Sequence, residues 1–259
     1  MMELAQEVLG LTRTVLWHGF FVFLRVGGVI AVMPGFGQRM VPVRVRLALA
    51  LAFTVPVAAV TAPFAAPVSA GFTGLFPYLL TEPVIGLLLG IGLRLFVLAM
   101  QTAGSIAAQS TSLAQILGGA AEEPMPAIGQ LLVVAALALA MLAGLHVRAT
   151  ELMIMSYDLF PPGVFPRPAS VAEWGVSRVA HAFALAFQLA APFVIISVLY
   201  NLTLGVVNRA MPQLMVAFVG APLITFGGLA LLLLLAPLML SIWVKALGMF
   251  LNNPAGAMP

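Results

Sequence analysis

Six long apolar runs follow one another along the chain, separated by short segments rich in polar residues, Pro or Gly. A helix that crosses a membrane needs about 20 predominantly apolar residues, and every run reaches that length. The runs cover approximately residues 14–34, 46–66, 77–99, 128–147, 182–204 and 213–243. This pattern predicts an all-α integral membrane protein with about six hydrophobic segments.

Two stretches depart from this pattern. Residues 100–119 form a weaker apolar stretch rich in Ser, Thr, Gln and Ala, and residues 148–178 form a polar link that contains the sequence PPGVFPRP. Neither stretch has the character of a soluble domain. The chain is therefore expected to be one integral membrane unit.

Proline and small residues are frequent within the apolar runs. Proline removes a backbone donor and clashes with the preceding turn, whereas small residues at four-residue spacing, such as Gly86 and Gly90, let helix backbones approach closely. We therefore expect Pro/Gly-broken helical hairpins that pack against other protein. The prolines concerned are Pro56, Pro63, Pro67, Pro77, Pro83, Pro192, Pro212, Pro222 and Pro237.

Three charged residues, Arg25, Glu82 and Arg94, lie inside otherwise apolar runs. An ionised side chain at the centre of a bilayer costs at least about 2.5–3.5 kcal/mol on insertion scales. Each of these groups is therefore expected to face protein or water. For Arg25 we expect a structural or pore-facing partner.

The composition supports a membrane environment. Hydrophobic residues make up 63% of the chain and charged residues 7%, whereas soluble domains carry about 25% charged residues. The formal net charge of +3 arises from only 11 basic residues, which are too few and too dispersed for a nucleic-acid surface. The sequence predicts contact with membrane lipid and no nucleic-acid partner.

Residues with catalytic or metal-binding spacing are not apparent in the sequence. Cys is absent, which excludes disulfides, thiolate nucleophiles and Cys-type metal sites. The chain has no HExxH, GxSxG or phosphate-binding glycine motif, and His18, His146 and His181 are far apart. We therefore predict a non-enzyme with no catalytic residue, cofactor or metal. A stand-alone small polytopic transporter or permease is an alternative, and an internal inverted repeat would favour it.

Three blocks of the sequence resemble one known family. They are RVGGVIAVMPGFGQRMVPVRVRLALAL (Arg25 to Leu51), SYDLFPPG (Ser156 to Gly163) and NLTLGVVNRAMPQLMVAFVGAPL (Asn201 to Leu223). In order, length and spacing they resemble the FliR family, the R-type subunit of the flagellar export gate, and its T-type counterpart in injectisome type III secretion. The motif residues are Arg25, Pro34, Gly37, Pro42, Arg46, Asn201, Gly205, Arg209, Pro212, Gln213, Gly220 and Pro222.

The resemblance implies a single-copy core subunit of a hetero-oligomeric helical channel. Its implied partners are P-type and Q-type export-gate subunits, the other membrane proteins of the export apparatus, and unfolded export substrates. The channel is expected to be closed at rest and to lie in the bacterial inner membrane, at the flagellar basal body. Arg39, Arg44 and Arg46 are then expected to hold the corner of a hairpin.

The resemblance also implies two parts and a pore plug. A P-like helical part is expected over residues 1–175, and a Q-like helical hairpin over residues 176–259. Within the P-like part, residues 104–126 are expected to form a loop that plugs the closed pore, although Glu122 and Glu123 also fit a simple solvated turn. The candidate gate residues are Gly104, Ser110, Thr111, Ser112, Gln115, Glu122 and Glu123.

Overall fold

The computed structural model describes residues 2–37, 41–61, 71–111, 127–211 and 216–256. These residues form seven α-helices and no β-strand. The predicted all-α fold is confirmed. The helices are α1 Met2–Val32, α2 Val43–Val60, α3 Gly71–Thr111, α4 Ala127–Leu142, α5 Leu145–Leu159, α6 Pro168–Ala210 and α7 Val216–Asn252.

Most of these helices have the length and apolar character of membrane spans. A bent pair, Ile128–Leu142 and Leu145–Leu159, counts as one further span if its two helices cross together. The expectation of about six hydrophobic segments is thus confirmed. The five single spans are Thr12–Val32, Val43–Val60, Thr73–Ser110, Pro168–Ala210 and Leu223–Asn252.

The break between α4 and α5 lies at a glycine. Gly144, which separates the two helices and precedes α5, has a φ of +80°. Only glycine adopts this left-handed conformation without a steric penalty. The sequence predicted helices broken at glycine, and Gly144 is such a break.

Proline does not end the helices in which it lies. Pro56, Pro77, Pro83 and Pro192 are all inside continuous helices. Membrane helices tolerate proline because neighbouring helices and hydroxyl side chains satisfy the carbonyl that proline leaves without a donor. At these four positions the chain continues as helix, which differs from the expected breaks.

Two helix boundaries also differ from the sequence pattern. α3 is one helix of 41 residues that covers the predicted run 77–99 and residues 100–111 of the weaker stretch. The predicted polar link 148–178 is largely helical, because α5 continues to Leu159 and α6 begins at Pro168. The buried residues of α5 recur every three or four positions, as expected of an amphipathic helix. They are Leu145, Ala149, Leu152, Met153 and Ser156.

The first of two compact units comprises Met1–Leu95, Ala143–Arg178 and Met249–Pro259. In it α2 contacts both α1 and α5. The imidazole of His18 bonds the carbonyl of Ala58 at 3.1 Å and the hydroxyl of Thr61 at 3.3 Å, so this histidine joins α1 to the end of α2. Large apolar side chains fill the core, among them Phe21, Val26, Ile85, Leu93 and Met153.

The second compact unit comprises Phe96–Leu142 and Val179–Gly248. The buried indole of Trp243 donates a hydrogen bond from Nε1 to the carbonyl of Phe96 at 2.7 Å. The two units alternate along the chain. The predicted division into parts 1–175 and 176–259 concerns resemblance to other subunits rather than packing, and it stays a prediction.

Candidate functional site

Two of the three charges inside the apolar runs meet in the core of the first unit. Arg25 of α1 and Glu82 of α3 form an ion pair in which Nε lies 2.8 Å from Oε2, and both side chains are completely buried. An opposite charge at this distance offsets much of the desolvation of each group. Arg94, in contrast, is exposed on α3.

The other nitrogens of the Arg25 guanidinium bind the end of α5. Its Nη1 donates to the carbonyl and to the hydroxyl of Ser156, at 3.0 and 3.1 Å. Its Nη2 donates to the carbonyl of Phe160 at 3.0 Å. The guanidinium also lies over the ring of Tyr157, 3.8 Å from the centroid, in a cation–π contact. Arg25 therefore joins α1 to the last turn of α5 and to Phe160, the residue that follows it.

Glu82 binds the loop that follows α5. Its Oε1 accepts a hydrogen bond from the backbone N–H of Gly163 at 3.2 Å. Gly163 has a φ of +74°, and a Cβ there would lie 2.9 Å from the ring of Tyr78. A side chain is excluded both by the backbone conformation and by this ring. The Arg25–Glu82 pair thus links α1, α3 and the α5–α6 loop, and we call it the buried ionic cluster.

Glycines bring α1 and α3 close enough for this pair to form. A Cβ at Gly28 would lie 2.7 Å from the carbonyl oxygen of Pro83, and a Cβ at Gly86 would collide with the carbonyl oxygen of Arg25. Gly90 is similarly close to Val29, with 2.9 Å to its carbonyl oxygen. The small-residue spacing noted in the sequence is therefore a helix-packing seam.

The buried ionic cluster is suited to fixing structure. A paired, hydrogen-bonded and fully buried charge holds its neighbours in one geometry, because any other arrangement leaves a charge without compensation. Among the described residues, no group of His, Asp and Glu has the arrangement of a metal site. The arrangement can position three elements of the first unit relative to one another.

The remaining residues of the first motif block shape the corner between α1 and α2. The backbone N–H of Gly37 donates to the carbonyl of Met33 at 2.7 Å, and the half-buried Pro34 lies in the same turn. Pro42 precedes the first residue of α2. Arg46 donates from Nε and Nη2 to the carbonyl of Val41, at 3.1 and 3.0 Å.

The three arginines predicted at this corner have different positions. Arg46 acts there by bonding the backbone, while Arg44 is exposed on the first turn of α2. Arg39 lies outside the described residues. Arg46 is therefore the arginine for which the structure shows a bond at this corner.

The third motif block, Asn201 to Leu223, begins at the end of α6, where its motif residues are exposed. Asn201, Gly205 and Arg209 all lie on the surface of the second unit, and no atom approaches within 4 Å of a Cβ built on Gly205. Pro212 and Gln213 lie outside the described residues. Gly220 and Pro222 lie within α7, in a stretch whose side chains are outside the description.

The candidate gate residues begin within a helix rather than a loop. Gly104 is buried in α3, and a Cβ there would collide with the Cα of Gly129 on α4. Ser110 donates its hydroxyl proton to the carbonyl of Ala107 at 2.8 Å. The expected loop over residues 104–126 is therefore wrong for residues 104–111, which lie in α3.

Ser112, Gln115, Glu122 and Glu123 lie outside the described residues. The candidate gate residues that the structure describes, Gly104, Ser110 and Thr111, all lie in α3.

Sequence reasoning singled out Arg25, Glu82 and the block Ser156 to Gly163 separately, but it did not join them. The available signal was charge balance, because one Arg and one Glu buried in neighbouring runs can neutralise each other. Nothing in the sequence indicates that Arg25 also bonds Ser156, which lies 131 positions after it.

Known proteins resemble this chain over most of its length. The model of the family described as "Bacterial export proteins, family 1" matches residues 16–249. The "Flagellar biosynthetic protein FliR" of Caulobacter vibrioides is 36% identical over 218 residues, which are 82% of this chain and 86% of that protein.

More distant relatives carry the same name. FliR of Escherichia coli K12 is 28% identical over 221 residues, covering 85% of this chain and 84% of that protein. FliR of Bacillus subtilis is 28% identical over 208 residues, covering 78% of this chain and 79% of that protein. Because the family match includes all three blocks that carry the resemblance, the chain belongs to the FliR family, family 1 of the bacterial export proteins.

Proposed function

We propose that this chain is a single-copy core channel subunit of the flagellar export gate. In this function it joins P-type and Q-type subunits, beside the other membrane proteins of the export apparatus, around a closed pore for unfolded flagellar proteins. Membership of the FliR family supports the proposal. So do the several helices that are long and apolar enough for a multi-pass protein of the bacterial inner membrane.

The observation that carries the proposal is the exposed end of α6. Val198, Leu202 and Val206 form an apolar stripe at four-residue spacing, and each is at least 60% exposed. Beside it runs a second exposed stripe with the same spacing, formed by Asn201 and the motif residues that follow it, Gly205 and Arg209.

A face of this composition is better suited to protein than to lipid. Lipid favours a uniformly apolar helix surface, and the polar groups of Asn201 and Arg209 are costly there unless they find partners. Gly205 lets another backbone approach closely. Sibling subunits that offer both polar groups and apolar side chains satisfy these requirements together, which supports assembly through the end of α6.

Two further parts of the proposal concern the pore and the domain organisation. The segment that follows α3, together with its last turns from Gly104 to Thr111, plugs the closed channel. Residues 1–175 act as the P-like part, and residues 176–259 as the Q-like hairpin. The polar composition of residues 104–126 supports the plug, because Ser, Thr and Gln fit a water-filled pore better than lipid.

Co-expression tests the proposal at α6. Gly205→Leu adds a side chain to the exposed stripe without weakening the helix, since leucine is a strong helix former. If a sibling subunit packs there, overpacking costs about 1–3 kcal/mol, and recovery of P-type and Q-type subunits with a tagged chain falls by roughly 5- to 150-fold. The matched control is Gly175→Leu, because a Cβ at Gly175 also meets no atom within 4 Å.

The same experiment separates the channel subunit from the alternative. A stand-alone transporter or permease purifies as a stable monomer or homodimer without partners and moves a small solute in liposomes. That result, or equal recovery of partners with both glycine variants, contradicts the proposal.

A further inference from the structure

An apolar groove of about 900 Å³ lies on the second unit, lined by residues of α4 and α7. Leu131 and Leu139 contribute from α4, and Leu229 and Leu233 from α7. These side chains are exposed, and Leu233 shows 79% of its surface. The groove is thus open along its length and lined by flexible leucine side chains.

One end of the groove carries a positive charge. Lys245 lines it next to Ser241, and the lysine side chain is exposed. Within the described part of the chain, Lys245 has no ion-pair partner. The groove therefore combines a long apolar surface with one cation at its end.

Lys245 is the first charged residue after a long apolar part of α7. From Val216, where α7 begins, to Val244 the helix contains no charged residue, and at about 1.5 Å per residue this part is roughly 43 Å long. The hydrocarbon core of a bilayer is about 30 Å thick. The apolar part is therefore long enough to cross the core, and a core boundary at Val244 places Lys245 at the level of the lipid phosphates.

We propose that this groove binds an anionic phospholipid, with an acyl chain along the leucines and the headgroup phosphate at Lys245. The charge of Lys245 complements a phosphate, and the hydroxyl of Ser241 offers a further hydrogen-bond donor. Basic pockets between membrane helices are suited to anionic headgroups on the same grounds.

The surface of the groove favours an acyl chain over a helix of another subunit. Helices in membranes pack through small residues, as α3 and α4 do in this same unit, where Gly104 contacts Gly129. The groove is instead dominated by leucines, whose flexible tips adapt to a disordered chain. A protein helix at this place is the competing occupant, and the experiment is designed to detect it.

The test uses the full-length chain in nanodiscs of equal parts phosphatidylglycerol and phosphatidylethanolamine. The chain is studied in complex with its partner subunits or, where it is recovered without them, on its own. Lipids that remain bound after transfer to detergent are counted by native mass spectrometry. Lys245→Met removes the charge and keeps an unbranched side chain, and Ala236→Phe fills the groove. Arg148→Met is the matched control, because Arg148 is an exposed cation on α5, in the first unit.

We expect wild type, Lys245→Arg and Arg148→Met to retain phosphatidylglycerol. Lys245→Met should retain about fivefold less, the equivalent of about 1 kcal/mol for one basic residue at the membrane surface. Ala236→Phe should lower the retention of both lipids. Equal retention by Lys245→Met and Arg148→Met, or no preference for phosphatidylglycerol in wild type, overturns the proposal.

A photo-crosslinker at the groove identifies the occupant independently of these variants. With Leu233→p-benzoylphenylalanine, a lipid adduct supports the proposal, and an adduct with another subunit overturns it. Because both readouts report on lipid, they are distinct from the recovery of P-type and Q-type subunits that tests the proposed function.

Discussion

At the residue scale, Arg25 and Glu82 occupy an environment in which neither charge is stable alone. Both side chains are fully buried, and their shared hydrogen bonds extend to Ser156, Phe160 and Gly163. Replacing such a pair by apolar residues often changes stability little, whereas removing one partner leaves a buried charge without compensation. The pair therefore specifies a geometry more than it contributes net stability.

This asymmetry gives a prediction for single and double variants. Glu82→Gln keeps the shape of the side chain but leaves the Arg25 charge unpaired, so we expect a loss of about 3–5 kcal/mol in the free energy of unfolding. The double variant Arg25→Met with Glu82→Leu removes both charges and should recover most of that loss. Chemical unfolding in detergent, followed by tryptophan fluorescence, measures both.

Arg44→Gln is the control for this pair, because Arg44 is exposed and surface substitutions usually change stability by no more than about 0.5 kcal/mol. A Glu82→Gln protein as stable as Arg44→Gln would show that the buried ionic cluster does not hold the first unit together. A double variant less stable than Glu82→Gln contradicts the explanation by unpaired charge.

At the scale of elements, α1 and α3 approach each other at glycines on one face only. A Cβ on Gly28 would lie 2.7 Å from the carbonyl oxygen of Pro83, whereas a Cβ on the adjacent Gly27 meets nothing within 4 Å. Substitutions at these two adjacent glycines therefore separate the effect of helix packing on stability from the effect of helix propensity.

We expect Gly28→Ala to destabilise the protein by about 1–3 kcal/mol, because the added methyl group forces the two backbones apart. Gly27→Ala should be neutral, or stabilising by up to about 1 kcal/mol, since alanine is the better helix former. Thermal unfolding of the two variants in the same detergent compares them directly. Equal midpoints for both variants contradict a close seam between α1 and α3.

Prediction from the sequence succeeded for elements that depend on local pattern. The apolar runs correspond to helices because length and hydropathy are local properties, and the motif blocks identified the family. The prediction of a polar link over residues 148–178 was wrong as a description of structure, because its charged residues lie among apolar residues that recur at helical spacing. Leu145, Ala149 and Leu152 already had the spacing of a buried helix face, and that spacing is the signal that could have found α5.

The site was less predictable than the fold. Arg25 and Glu82 are 57 positions apart, and nothing in either run specifies the other. The continuation of α3 through Pro77 and Pro83 was also beyond local rules, because the loss of a backbone donor is offset by surroundings that the sequence does not describe.

At the scale of the whole molecule, the two compact units present different surfaces. The first contains the buried ionic cluster. The second carries the exposed end of α6 and the leucine groove, and the last turns of α3 lead from it into the segment proposed as the plug. Sites proposed for sibling subunits, lipid and the pore therefore all belong to the second unit.

The proposed plug gives the last prediction. Ser110→Gly should weaken the final turn of α3, because glycine costs about 1 kcal/mol in a helix relative to alanine and the bond from the Ser110 hydroxyl to Ala107 is lost. A less ordered plug should raise the ionic conductance of the closed complex in planar bilayers. Thr14→Gly is the matched control, since the Thr14 hydroxyl also bonds a carbonyl of its own helix, that of Gly10. If Ser110→Gly conducts no more than Thr14→Gly, the plug lies elsewhere, because a change that loosens the pore closure must let ions pass.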